Sequence, residues 1–216
     1  MMGKLPVIYR KSPPIIASFD FIDATSGAGY RRYYGACLLE TTGSTRRYFL
    51  SSRVVDSCTG YNDDTNGVYS SFTGDNVMNE LIDFDIVIEK PVKVGGGEAF
   101  VNFTYGMTDG SDRTCQPKIE VFHVRGAVET SLGSFLCNGH NFDDSPEYHR
   151  AGAKISLTSK QFASGDILRV TLSAQISNTK IIKFYHDPGS AVTFTDPNSR
   201  TIGTDLIADI PFKVEI

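Results

Sequence analysis

The chain has 216 residues, 40% of them hydrophobic and 21% charged, with a formal charge of −4 and no tryptophan. That balance belongs to a folded domain of ordinary composition and lacks the basic excess that grips nucleic acid without sequence preference. No apolar run approaches the roughly 18 residues of a membrane-spanning helix. The opening Met1 to Pro6 lacks the apolar core of a secretory signal, so residence in a cytosol is the expectation.

Residues 1 to 16 carry Lys4, Arg10 and Lys11 without an acid and three prolines, Pro6, Pro13 and Pro14. Proline fixes φ and removes a donor, so this composition predicts an extended arm. Its docking side chains would be Lys4, Leu5, Val7, Ile8, Tyr9 and Arg10, placed to complete a neighbour's sheet edge. The rest, 17 to 216, reads as one all-β domain.

Strand-like runs alternate with turns from Ala17 onward: 17–23, 30–39, 46–54 and then 80–90, where Ile82, Phe84, Ile86 and Ile88 share a face. Val101, Phe103 and Tyr105 alternate with Asn102 and Thr104 in 99–107, and further strands are predicted over 118–125, 128–137 and 153–158. In 165–176, Leu168, Val170, Leu172, Ala174 and Ile176 fall on one face. The series closes with 180–186, 191–195 and 204–216, where Leu206, Ala208, Ile210, Phe212, Val214 and Ile216 occupy alternate positions. Residues 158–163 carry a hint of a helical turn. Many short strands without amphipathic helices predict a two-sheet antiparallel sandwich of jelly-roll type.

Motifs for catalysis are sparse. There is no nucleophile elbow, phosphate loop or paired-histidine zinc motif, and the cluster Gly95-Gly96-Gly97 leads into a strand. Asp143, Asp144 and Glu147 share one turn-rich segment, whereas glycosidase carboxylates come from opposite sides of a cleft. A solvated acidic loop is the simpler reading, and a surface metal site with His140 and His149 is its rival. Cys37, Cys58, Cys115 and Cys137 have no metal-ligand spacing; buried free thiols are the simplest reading, and any pairing is left open.

No cofactor is expected, with calcium a weak possibility: Asn62, Asp64 and Asn66, followed by Gly67, match the opening of a calcium loop. The twelfth position is Thr73 and not a bidentate glutamate, so such a site would be weak, and a plain surface turn uses the same residues. Arg31, Arg32, Arg46 and Arg47 are interleaved with Tyr30, Tyr33, Tyr34 and Tyr48. Arginine beside tyrosine suits a subunit interface or a stacked ligand, although Arg31 and Arg32 must face opposite ways on a strand. Asn102-Phe103-Thr104 has the form of a glycosylation sequon but lies inside a strand.

The segments Ile16 to Tyr30 (IASFDFIDATSGAGY), Phe162 to Val170 (FASGDILRV), His186-Asp187-Pro188 and Ile210 to Ile216 (IPFKVEI) together resemble small β-rich virion proteins of viruses infecting bacteria and archaea. The resemblance covers the two ends and little of 40–150. It implies a non-enzymatic structural role, a capsid decoration or minor capsid protein with a jelly-roll body, assembled in host cytoplasm. Its partners would be other virion proteins and copies of itself, a trimer being the simplest form, with neither membrane nor specific nucleic acid involved. The alternative is a glycan- or receptor-binding module of a fibre or spike, using Tyr30, Tyr33, Tyr34, Tyr61 and Tyr69 as stacking rings.

Overall fold

A computed structural model of the chain describes residues 28–39, 46–54, 69–74, 76–107, 113–142, 147–177, 181–186, 193–195, 201–203 and 205–213. The chain is all-β: the described residues form sixteen strands and no helix, so no helix among them is long and apolar enough to cross a membrane. In order they are β1 (Ala28–Leu39), β2 (Arg46–Ser51), β3 (Tyr69–Thr73), β4 (Met78–Val87), β5 (Val92–Val94), β6 (Glu98–Met107), β7 (Arg113–Arg125) and β8 (Val128–Leu136). Then follow β9 (His140–Phe142), β10 (Glu147–Ser156), β11 (Lys160–Phe162), β12 (Ile167–Ile176), β13 (Ile181–Tyr185), β14 (Thr193–Thr195), β15 (Thr201–Gly203) and β16 (Ile207–Lys213).

Fourteen strands belong to one hydrogen-bonded sheet, whose main path runs β3-β13-β6-β16-β1-β2-β4-β12-β7-β8, with β10 on β6, β9 on β7, and β5 bridging β11 and β16. Pairing is antiparallel except between β2 and β4, where Phe49 lies opposite Asp85 in a parallel contact. Strands β14 and β15 form a separate pair. β7 and β8 make a tight hairpin in which Arg125 faces Val128, and Gly126 supplies the positive φ of 59° that such turns need.

Alternation decides what is buried. Ile82 and Phe84 of β4, Leu168, Val170, Leu172, Ala174 and Ile176 of β12, and Ile119 and Val121 of β7 join Val101, Phe103 and Tyr105 of β6 and Ala208 and Ile210 of β16 in one core cluster. Since strands far apart along the path share that cluster, the sheet curls around it. β8, one end of that path, meets the segment just after β10 where Thr158 N–H donates to Leu132 O at 2.8 Å. Gly133 lies beneath β10 there, and a Cβ at that position would fall 2.5 Å from Ser156 O.

Two expectations change. Residues 158–163 contain no helical turn: Lys160–Phe162 is strand β11, whose backbone pairs with Val92–Val94 while Phe162 enters the core. The thiols also divide. Cys115 and Cys137 are free and buried, as the simpler reading has it, whereas Cys37 is disulfide-bonded. Burial raises both free thiols, Cys137 to about 11. The arm (1–16), the 17–23 strand, Cys58, Tyr61, the Asn62, Asp64 and Asn66 turn, Asp143 and Asp144 lie outside the described residues.

Candidate interaction surface and polar clusters

The outward face of β1, β16, β6 and β10 brings the predicted arginine and tyrosine residues into register with partners that sequence spacing did not reveal. Arg32 pairs with Asp209, Asp209 with Phe100, and Phe100 with Lys154, so one row of side chains crosses four strands. The Arg32 guanidinium donates through both Nε and a terminal nitrogen to Asp209, at 2.8 and 2.9 Å. Lys154 reaches Glu98 at 2.7 Å, and Arg150 on the same strand reaches Asp205 at 2.7 Å. Tyr30, 37% exposed, packs against Phe100, 39% exposed, with ring centroids 6.1 Å apart. Exposed ion pairs contribute little stability, so these charges chiefly orient the face while its two open rings supply area that a partner can cover.

The other predicted residues divide by strand parity. Arg31 points to the opposite face from Arg32, as alternation demands, and its guanidinium lies 5.4 Å from the centre of the Tyr33 ring. Tyr33 is a correction to the ligand reading: it is fully buried, packed against Phe212, and burial pushes its hydroxyl up to about 12. A ring in the core cannot stack on a ligand. Tyr34 is half-buried on the outward face, Arg47 of β2 is exposed, and Arg46 pairs with Leu39 along the backbone of β1. Tyr69 begins β3.

Of three polar clusters, two were not assembled by sequence reasoning and the third only in part. At the β11 to β12 turn, Asp166 is 4% exposed and accepts from Arg125 Nε (2.8 Å) and a terminal nitrogen (2.6 Å), His123 Nε2 (2.8 Å) and Ala163 N–H (2.7 Å). The Arg125 hydrogen bonds hold this carboxyl well below the usual range despite its desolvation, with His123 and the Ala163 N–H adding to the effect. An ionised carboxylate has no proton to give, so His123 carries its proton on Nε2. The available signal was parity: His123 and Arg125 share one face at the end of β7.

Within the core, Ser70 Oγ lies 2.7 Å from Tyr48 Oη and 2.9 Å from His186 Nε2. Serine beside histidine is the beginning of a nucleophilic pair. Here both are nearly inaccessible, at 3% and 1% exposure, with the Tyr48 and Phe84 rings edge-on to His186. The cluster joins β2, β3 and the end of β13 and offers a substrate no approach.

The third cluster unites part of the rival metal reading. His140 Nε2 donates to Glu147 at 2.9 Å, and the His140 and His149 rings stack with centroids 4.1 Å apart. Stacked rings direct their nitrogens alongside one another, whereas metal ligands converge on one point. Among the described residues no three His, Cys, Asp or Glu side chains are arranged to hold a metal ion.

No family model and no curated protein matches the chain. Solved structures do. A CocE/NonD family hydrolase from Staphylococcus aureus superposes with a TM-score of 0.55 at 10% identity, covering 87% of this chain and 37% of the hydrolase. An aminopeptidase from a marine sediment archaeon, Thaumarchaeota archaeon, superposes with a TM-score of 0.51 at 10% identity, again over 87% of this chain and 37% of the other. This chain therefore spans little more than a third of the length of either protein. At such identities the likeness is one of fold.

Proposed function

We propose that the chain is a non-enzymatic structural protein of a virus particle, of capsid decoration or minor capsid type. In this reading the curled sheet is a two-layer jelly-roll body, and its value lies in the surfaces it presents to other virion proteins and to copies of itself. The observation that carries the reading is the outward face of β1, β16, β6 and β10, where Tyr30 and Phe100 form an exposed aromatic centre flanked by the Arg32–Asp209 and Lys154–Glu98 pairs. Aromatic anchors inside a charged rim are the anatomy of a protein interface. The resemblance of the chain ends to virion proteins supports the same conclusion, and the superpositions on parts of longer chains suit a body that works as a module.

The test is incorporation into particles. Tyr30→Ser combined with Phe100→Ser removes the anchors while leaving the core untouched. The folded double variant is expected to be lost from purified particles that retain the unaltered protein. Its recovery at the unaltered copy number would contradict the assignment.

A further inference from the structure

A hollow of about 420 Å³ opens beside the buried Asp166 cluster, lined by Pro91, Arg125, Lys160, Gln161, Phe162 and Ala163. Its lining residues lie on strands other than the four of the aromatic face just described, and the assembly role makes no use of it. We propose that this hollow binds a carboxylate-bearing sugar, of the hexuronic acid class.

The argument begins with Arg125. Its side chain is 59% exposed, yet it is tied along one edge by the two hydrogen bonds to Asp166. A guanidinium has five N–H groups in a fixed planar fork, so that attachment leaves the edge formed by its two terminal nitrogens available and already oriented. Asp166 is held in turn by His123 and by the Ala163 N–H, so the arginine is positioned by groups buried beneath it. A long surface side chain ordinarily loses rotamer freedom on binding; one clamped in advance loses less.

Charge and lining then restrict the ligand. Asp166 offsets Arg125, and Lys160, which has no ion-pair partner among the described residues, leaves the rim with a net positive charge. A single carboxylate answers that charge and the planar fork together. The exposed Pro91 and Ala163 supply a small apolar wall for the C–H face of a ring, and the Gln161 amide both donates and accepts, as a sugar hydroxyl requires. The volume is that of a small-molecule site, several times what one acidic side chain fills.

The experiment is an NMR titration of the whole protein with sodium glucuronate at neutral pH, using glucose and sodium acetate as controls. Saturable shifts at residues around Gln161, with a Kd of about 1–10 mM, are expected for glucuronate, together with at least tenfold weaker binding of glucose and of acetate. Lys160→Glu and Lys160→Gln, at a half-buried position outside the Asp166 cluster, should keep the melting temperature and weaken glucuronate tenfold or more. Absence of saturation would overturn the proposal. So would glucose or acetate binding as tightly as glucuronate, or binding undiminished in both folded Lys160 variants.

Discussion

Asp166 joins three donor groups from two parts of the fold through one carboxylate: Arg125 and His123 from β7, and the Ala163 N–H of its own turn. Its folded pKa is depressed, so between its ordinary value near 4 and the lower folded value the unfolded chain binds more protons than the folded one. The contribution of Asp166 is therefore complete above about pH 4 and is lost as pH falls through the folded value. Urea denaturation from pH 6 down to pH 2 should show stability falling steeply below pH 4, with a shallower fall in Asp166→Asn. Equal slopes would refute the clamp. Sequence showed Asp166 only as the residue after a turn glycine; its partners lie 41 and 43 positions away, and nothing in local spacing identifies a contact of that kind. Tyr33 teaches the complementary lesson. Parity correctly separated it from Arg32, but parity alone does not say which face meets the core, and a tyrosine suits either environment.

Strands with sustained period-two patterns were legible because burial on one face imposes that period. Leu168 to Ile176 and the alternate positions from Leu206 to Ile210 are buried as read, and Ile82 and Phe84 enter the same core. The short strands β3, β5, β9, β11 and β15 were missed because three to five residues carry too little pattern to distinguish a strand from a turn. Glycine separates two effects at this scale. Gly126 has φ of 59° with nothing within 4 Å of a hypothetical Cβ, so Gly126→Ala should cost about 1–2 kcal/mol through backbone strain alone, and Gly126→Asn should recover much of it. Gly35 has no such φ, but a Cβ there would lie 2.9 Å from Leu206 and 3.0 Å from Phe84, both in the core. Gly35→Ala should therefore cost about 1–3 kcal/mol by overpacking, relieved by Leu206→Ala in a double-mutant cycle. Chemical denaturation of the variants measures both effects, and independent costs for Gly35→Ala and Leu206→Ala would contradict the packing account.

For the whole molecule, sequence conveyed the all-β class and the absence of catalytic motifs more readily than it conveyed topology. The curl of fourteen strands depends on pairs such as β1 with β16, which joins nearly opposite ends of the chain, and on the approach of β8 to the end of β10, far from it along the sheet. That same topology creates the proposed interface. Arg32 and Phe100 become neighbours across Asp209 only when β16 inserts between β1 and β6, so the row could not be read from the tyrosine and arginine cluster alone.

The central claim, that this outward face exists to be covered by protein, is tested most directly by sedimentation equilibrium of the full chain and of Phe100→Glu. A charge placed at the aromatic centre leaves the buried core intact but opposes any partner seated there. The account predicts a concentration-dependent oligomer for the unaltered chain and a monomer of unchanged melting temperature for Phe100→Glu. An unaltered chain that remains monomeric, or a variant that associates equally well, would contradict it.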